Sequence, residues 1–430
     1  MLNETDNPSD PLELPLRPAK SDPYAVLRNR DFRFYLIGRF IASFGQQMLT
    51  VAIGWELYER THKAIILGLV GLVQMAPMIL FTLPAGHLAD NVNRKRIILT
   101  MTGVISLASV GLTLISALDS GTRWNSVHLY AVFACLFAAG CARTFLWPAS
   151  SAFLPHLVSR KDFSRAVTWN SGSFHLSSVA GPAAGGALIA LTHYPAVVYG
   201  LNATASLVCL ILISLVRRHH VVAVKEPMTL RSLAVGFRFV FATRIILGTI
   251  TLDLFAVLLG GATALLPVYA KDILHAGPSG LGILEAALPM GSLTCALILA
   301  HRPLEKAGRA LLFAVGGFGA ATIAFGLSHW FWFSFAMLFL CGATDNVSVV
   351  VRHTLVQLLT PDDKRGRVSA VNSLFIGTSN ELGGFESGML AALAGPVFAV
   401  VSGGVGTILV VIAVALIWPE IRRYGRLDSN

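Results

Sequence analysis

The feature that most constrains this chain is a series of about twelve long apolar runs joined by short polar connections. They fall near residues 33–58, 65–89, 96–118, 127–153, 163–192, 196–217, 244–270, 277–301, 309–328, 330–357, 366–393 and 395–418. A helix crossing a bilayer needs roughly 20 apolar residues, and these runs supply them. The expected fold is an all-α membrane protein of twelve transmembrane helices. Several runs are longer than a crossing requires, which predicts tilt or helix ends projecting into water. Only 13% of the 430 residues are charged, against about a quarter in a soluble domain.

The net charge of +10 could suggest a nucleic-acid partner, but the bases sit in the connections. With the amino terminus inside, the tails and the even-numbered loops carry 26 of the 33 Lys and Arg. Arg60, Lys63, Arg123 and Lys271 fall outside, and Arg39, Arg143 and Arg352 lie within spans. The excess of inward bases predicts both termini in the cytoplasm and no nucleic-acid role. Residues 1–30 are polar and rich in proline, with no apolar signal-peptide core, and read as a disordered cytoplasmic tail. All five cysteines fall inside apolar runs, which points to packing and away from disulfides or a CxxC metal site.

The chain divides into halves that repeat. Asn170-Ser171 returns as Asn372-Ser373, 202 residues later, and at the same offset Gly140 meets Gly342, Gly181 meets Gly383 and Gly186 meets Gly388. Such a repeat predicts two pseudo-symmetric six-helix bundles, 31–217 and 244–419, with a short cytoplasmic tail at 420–430. The linker 218–243 contains apolar residues at helical spacing from Leu230 to Phe241, with Arg231 and Arg238 seven apart. That pattern predicts an amphipathic helix on the inner membrane surface.

Soluble-enzyme signatures are missing: there is no Gly-Lys pair for a Walker loop, no H-E-x-x-H and no G-x-S-x-G. The reading is a non-enzyme with no cofactor and no metal. His219-His220, in a basic linker, reads as solvated. The chemistry is left to charges inside the spans, each costing roughly 2.5–3.5 kcal/mol at mid-bilayer unless it faces a cavity or a partner. Arg143 and Asp345 lie near the middle of spans four and ten, 202 residues apart, and Asp253 lies in span seven. Glu285 in span eight, Glu381 and Glu386 in span eleven, and His175 in span five are further titratable groups. A carboxyl removed from water holds its proton more readily, as proton coupling needs. Arg39 and Arg352 lie nearer the inner ends and are expected to snorkel. Two readings of Arg143 stand side by side: a working pair with Asp345 or Asp253 in a polar cavity, and a static pair fixing helix packing.

The connection after the second run reads Gly86-His-Leu-Ala-Asp90-Asn-Val-Asn-Arg94-Lys95-Arg96. It resembles the signature loop between helices two and three of the major facilitator superfamily, G-x-L-a-D-[RK]-x-G-R-[RK]. Gly86, Leu88, Ala89, Asp90, Arg94 and Lys95 match. Asn91 replaces a base, and Asn93 replaces a glycine whose left-handed backbone asparagine tolerates. Glu305-Lys-Ala-Gly308-Arg309 resembles a second copy of the loop. Gly181-Pro182-Ala-Ala-Gly185-Gly186 resembles the antiporter motif of exporting members, although Ser177 and Thr168 stand where that motif has glycines. Leu27-Arg-Asn-Arg30-Asp31-Phe32-Arg33, Trp147-Pro148-Ala149, Arg365 to Ala370 and Gly377 to Gly388 resemble the enterobactin-exporter and macrolide-efflux branch.

These resemblances imply spans one, four, seven and ten around a central cavity, with Gln46 and Gln47 contributed by span one. They imply a gating contact between Asp90 and the start of span eleven near Arg365 to Ser369. The function they imply is secondary active export of small amphiphilic molecules, siderophore- or drug-like, by proton antiport with alternating access. The chain would act as a monomer in the bacterial inner membrane, with a small-molecule substrate, protons and the lipid bilayer as partners. A nutrient-importing symporter or facilitator, and a non-transporting scaffold or sensor, stand as alternatives.

Overall fold

The computed structural model describes residues 24–118, 126–217, 230–302, 306–361 and 364–425; the side chains of Leu83, Asp90 and residues 230–233 also lie outside the description. Among the described residues the chain is helical, without a strand. Spans one to six are Arg30–Thr61, Ala64–Asn91, Arg94–Leu118, Ser126–Leu157, Phe163–Thr192 and Pro195–Ser214. Span seven begins as Arg244–Leu259. Spans eight to twelve are Gly277–His301, Ala307–Gly326, Phe331–Leu359, Arg365–Ala394 and Pro396–Ile417. Eleven of the twelve are long and apolar enough to cross a membrane. Span eleven is as long, but it carries Arg365, Arg367, Glu381 and Glu386 and so falls short in hydropathy.

Span seven departs from the single run expected over 244–270. Its helix stops at Leu259, passes through Gly260-Gly261, and resumes as short turns from Ala262 to Ile273 that end in a π-helical segment. A side chain at Gly261 would collide with the Gly383 carbonyl of span eleven. Close approach of span eleven thus demands glycine at the break.

The motif turn at 86–96 is mostly helix. Span two continues to Asn91 and span three begins at Arg94. Asn93 does not adopt the left-handed backbone expected of a glycine substitute. Among the described residues, positive φ outside glycine is confined to His62, His193 and His275, which close spans one, five and seven. Asn93 instead caps span three, its Oδ1 accepting from the Lys95 backbone N–H at 3.0 Å. The motif before span one has the same explanation: Asn29 Oδ1 accepts from the Asp31 and Phe32 amides.

The repeat is visible as shared contacts. Gly140 lets span four approach span two at Gln74 and Pro77, and Gly342 lets span ten approach span eight at Leu288. Gly181 packs span five on span one, and Gly383 packs span eleven on span seven. Gly186 seats span five on Pro278 and Gly282 of span eight, and Gly388 seats span eleven on Ala64 and Gly68 of span two. The last pair of contacts joins the two halves, and both lie at the same end of the bundle.

The apolar core follows suit. One buried cluster takes residues from both halves at that end, including Leu57, Leu67, Tyr199, Leu266, Leu281, Phe325 and Val400. At the opposite end the clusters separate, one within the first half and two within the second. The bundle is therefore shut at one end and split at the other. The linker helix Leu230–Ala242 packs on span eleven at the split end, with Gly236 against Arg367 and Phe237 against Phe375.

The shut end is tied by crossed polar contacts. Lys271 Nζ lies 2.8 Å from Glu59 Oε2, and the Tyr58 hydroxyl donates to Asp272 Oδ2. Lys271 follows Tyr58, and Asp272 follows Glu59, by the same 213 residues. Each residue thus contacts the counterpart of its neighbour, as expected around a pseudo-two-fold axis. Gly54 and Pro267, at the same offset, meet each other on that axis. Exposed ion pairs contribute about 1 kcal/mol or less, so these ties bias the end towards closure. Removing both, with Tyr58→Phe and Lys271→Gln, will add a longer-distance population between spin labels at Lys63 and His329 in pulsed dipolar spectroscopy. An unchanged distance distribution would show that apolar packing alone sets closure.

Candidate functional site

Between the halves, below the shut end, lies a cavity of about 610 Å³. Its walls come from spans one, two, four, five, seven, eight and eleven. The sequence-predicted residues that reach it are Gln46, Gln47, Arg143, Glu285, Glu381 and Pro182. Arg143 projects from span four and donates to Gln74 Oε1 on span two at 2.6 Å. The charge facing it is Glu381 of span eleven, in the other half. Glu381 lies against Gly71 of span two, where a side chain would meet its carboxylate. On the first half's side, Gln47 Nε2 donates to Ser178 Oγ at 2.8 Å. The span-five motif sets this wall: Gly181 and Gly185 bring span five onto Gln47 and Met48.

Two predicted cavity acids are elsewhere. Asp253 pairs with Arg352, within the second half, and both are buried, at 5% and 2% exposed. Neither lines the cavity. Arg352 therefore does not snorkel, because a carboxylate in the adjacent span satisfies it at depth. Asp345 is also off the cavity wall. The expected pairing of Arg143 with Asp345 or Asp253 rested on depth and span number, which do not fix the rotation of a helix. The 202-residue symmetry relates positions in two halves without bringing them together. Glu386 and His175 also lie off the wall.

The motif residues of the span two–three connection hold their own half together. Arg94 is buried; its guanidinium donates to the Ala89 and Ala152 carbonyls at 3.0 Å each and contacts His156. Lys95 Nζ donates to the Ser214 and Val216 carbonyls at the end of span six. Gly86 has open space where a side chain would stand. Asp90 lies in the last turn of span two, and the contact expected of its side chain lies outside the described residues, as do His219, His220 and Glu305. Arg231 is described in backbone alone.

Gln74 and Asn380 line the cavity as well and were not singled out from the sequence. Their signal was available: an uncharged amide in an apolar run carries a desolvation cost that a polar cavity relieves. Among the described residues no group of three His, Cys, Asp or Glu side chains could hold a metal ion.

The sequence pattern described as transmembrane secretion effector matches residues 21–427. The chain belongs to this family of the major facilitator superfamily. Enterobactin exporter EntS of Shigella boydii serotype 4 is 28% identical over 397 residues, covering 91% of this chain and 93% of the relative. The protein of the same name from Escherichia coli O1:K1 is equally similar over the same shares. Among solved structures, a bacterial homologue of the iron transporter ferroportin in an inward-facing state superposes with a TM-score of 0.71 at 16% identity, covering 92% of this chain and 99% of that one. A bacterial homologue of the lysosomal transporter Spinster, inward-facing and occupied, gives 0.71 at 14% identity over 94% and 98%. These likenesses establish the major facilitator fold, and the family consists of membrane transporters.

The Asp253–Arg352 geometry generates its own expectation for this family member. Removing one partner leaves a buried unpaired charge, at a cost of about 3–5 kcal/mol. Asp253→Asn will therefore lower the thermal unfolding midpoint in detergent, and Asp253→Asn with Arg352→Gln will recover most of the loss. Equal destabilisation in single and double variants would show that the two side chains act independently.

Proposed function

We propose that this protein exports small amphiphilic molecules by proton antiport, through alternating access. The observation that carries the reading is the arrangement in the cavity. Arg143 and Gln74 belong to one half and face Glu381 of the other, while the bundle is shut at one end and split at the other. The excess of loop bases supports a cytoplasmic split end, and in this reading the conformation is the one that loads substrate from inside. Similarity to enterobactin exporters supports the outward direction and a siderophore- or drug-like cargo.

In this reading an accepting group of the substrate competes with Glu381 for Arg143. Gln74 holds the guanidinium in place during the exchange. A proton arriving from outside neutralises Glu285, which loosens that carboxyl's grip on a donating group of the substrate while ionised Glu381 reclaims Arg143, and is surrendered to the cytoplasm after the bundle rocks back. One proton moving inward through 100 mV provides about 2.3 kcal/mol. At about 1.4 kcal/mol per decade, that supports roughly fifty-fold accumulation outside. Rocking requires the contacts between spans two and eleven and between five and eight to serve as pivots. Their glycines suit that role by letting backbones slide in contact.

Inside-out vesicles with an acid lumen provide the test, with enterobactin, desferrioxamine B and ethidium as probes. Uphill uptake of one of them into the acid lumen is expected. Glu285→Gln or Glu381→Gln will abolish that uptake and preserve downhill exchange. If both variants still accumulate the probe, coupling does not run through the cavity carboxyls. Uptake that requires an alkaline lumen would replace export by symport.

Arg143 should be needed for exchange as well as for uphill movement. Arg143→Ala is expected to lose both. Arg143→Lys keeps the charge without the planar fork and should retain a remnant. Full exchange in the alanine variant would remove Arg143 from the mechanism.

A further inference from the structure

The lining of the cavity restricts the chemistry of what it can hold. The chain contains 25 Phe, 8 Tyr and 7 Trp, yet among the described residues lining the cavity none is aromatic. Planar aromatic cations are ordinarily held by stacking and cation–π contact with such rings, and this wall offers none. It offers four carboxamides instead: Gln46, Gln47, Gln74 and Asn380.

Their internal hydrogen bonds decide what each has left to give. Gln74 spends its oxygen on Arg143, so its NH₂ group is left to donate beside the remaining guanidinium N–H groups. Gln47 spends an N–H on Ser178, and Asn380 spends one on the Ile376 carbonyl at 2.8 Å. Both keep a free accepting oxygen. Glu285, on the span-eight wall, adds a carboxyl. Spans two and four thus form a donating wall, and spans one, eight and eleven form walls that chiefly accept.

We infer that the cavity takes flexible, non-aromatic molecules built from amide or hydroxamate units. Their carbonyl or hydroxamate oxygens lie against Gln74 and Arg143, and an N–H, O–H or ammonium group lies against Glu285, Gln47 and Asn380. An aromatic cation would leave these amides without partners in a desolvated site, which is the stronger basis for discrimination. The inference rests on the cavity being the substrate site of the proposed exporter.

Binding to the purified full-length protein in detergent, followed calorimetrically, tests it independently of transport. Desferrioxamine B, an aliphatic trihydroxamate with a terminal ammonium group, is the matching probe, and ethidium is the mismatched one. Desferrioxamine B is expected to bind at least tenfold more tightly than ethidium. Gln74→Leu should weaken its binding about tenfold, and Gln74→Asn, which keeps the amide, should recover part of the loss. A thermal unfolding curve for each variant separates lost binding from lost folding; Gln47→Leu, on the accepting wall, supplies a second variant with the same expected weakening. Ethidium binding as tightly as desferrioxamine B, or no binding of the hydroxamate at millimolar concentration, overturns the inference, as does undiminished binding by both folded leucine variants. Uphill export of ethidium with no binding of the hydroxamate would sink the inference and leave the exporter reading standing. Tight hydroxamate binding with no uphill movement of any probe would do the reverse.

Discussion

The shut end, where spans one and seven cross above a shared apolar cluster, is the constraint on which this conformation turns. Tyr58 meets Asp272 and Glu59 meets Lys271 across a pseudo-two-fold axis, with Gly54 and Pro267 touching on it. Span seven reaches that axis because its helix breaks at Gly260-Gly261 and the short turns beyond redirect it. Glu59 is 48% exposed and Lys271 21%, so the pair is well within reach of solvent and weak. The buried apolar cluster beneath it contributes the larger share of closure. Weak polar ties above a shared apolar core suit the opening and closing that the proposed alternating access requires of this end, since a lock worth many kcal/mol would hold one state permanently.

Helix association in a membrane lacks the hydrophobic drive available in water and relies on close van der Waals packing. The three glycine pairs related by the 202-residue offset meet that need. Gly140 and Gly342 bind spans two and four, and eight and ten, into their respective halves; Gly181 and Gly383 do so for one and five, and seven and eleven. Gly186 and Gly388 make the contacts that cross between halves. A duplicated sequence therefore yields two closely packed bundles and two equivalent joints between them. The cavity lies between those joints, and its walls come from both bundles.

Much of this was legible in the sequence. The spans, the repeat, the span-five glycines and the linker helix follow from apolar length, offset and periodicity, and those signals act locally. Gln46, Gln47, Arg143, Glu285 and Glu381 reach the cavity because a charge or amide in a long apolar run has few other places to go. Asp253 obeyed the same rule by another route, finding Arg352 within its own half. Nothing in the sequence distinguishes those solutions, because depth in the bilayer follows from residue number and azimuth follows from packing. Gln74 and Asn380 escaped notice because uncharged amides were weighed less than charges. The crossed ties escaped because Glu59, Lys271 and Asp272 sit at span ends, where charges are ordinarily solvated. Asn93 shows the reverse error: a glycine position was read as a backbone requirement, and the side chain acts as a helix cap.

The contrast between the two guanidinium sites indicates which of them can do work. Arg352 and Asp253 are both carried by the second half, so rigid-body rocking of the halves, as proposed above, would leave their separation unchanged. A proton or ligand there would interact equally with both conformations, and equal interaction shifts no equilibrium. Arg143 and Glu381 are carried by different halves, and Gln74 moves with Arg143. In the proposed alternating access their separation would change as the bundle rocks, so any group that neutralises Glu381 or occupies Arg143 would act differently on the two states. The same reasoning applies to Glu285, which rides on span eight opposite the wall built by spans one and five. In the proposed antiport, coupling between a proton and a cargo needs charges divided between the halves where the cargo can reach them, and Arg143 facing Glu381 supplies such a division in the cavity.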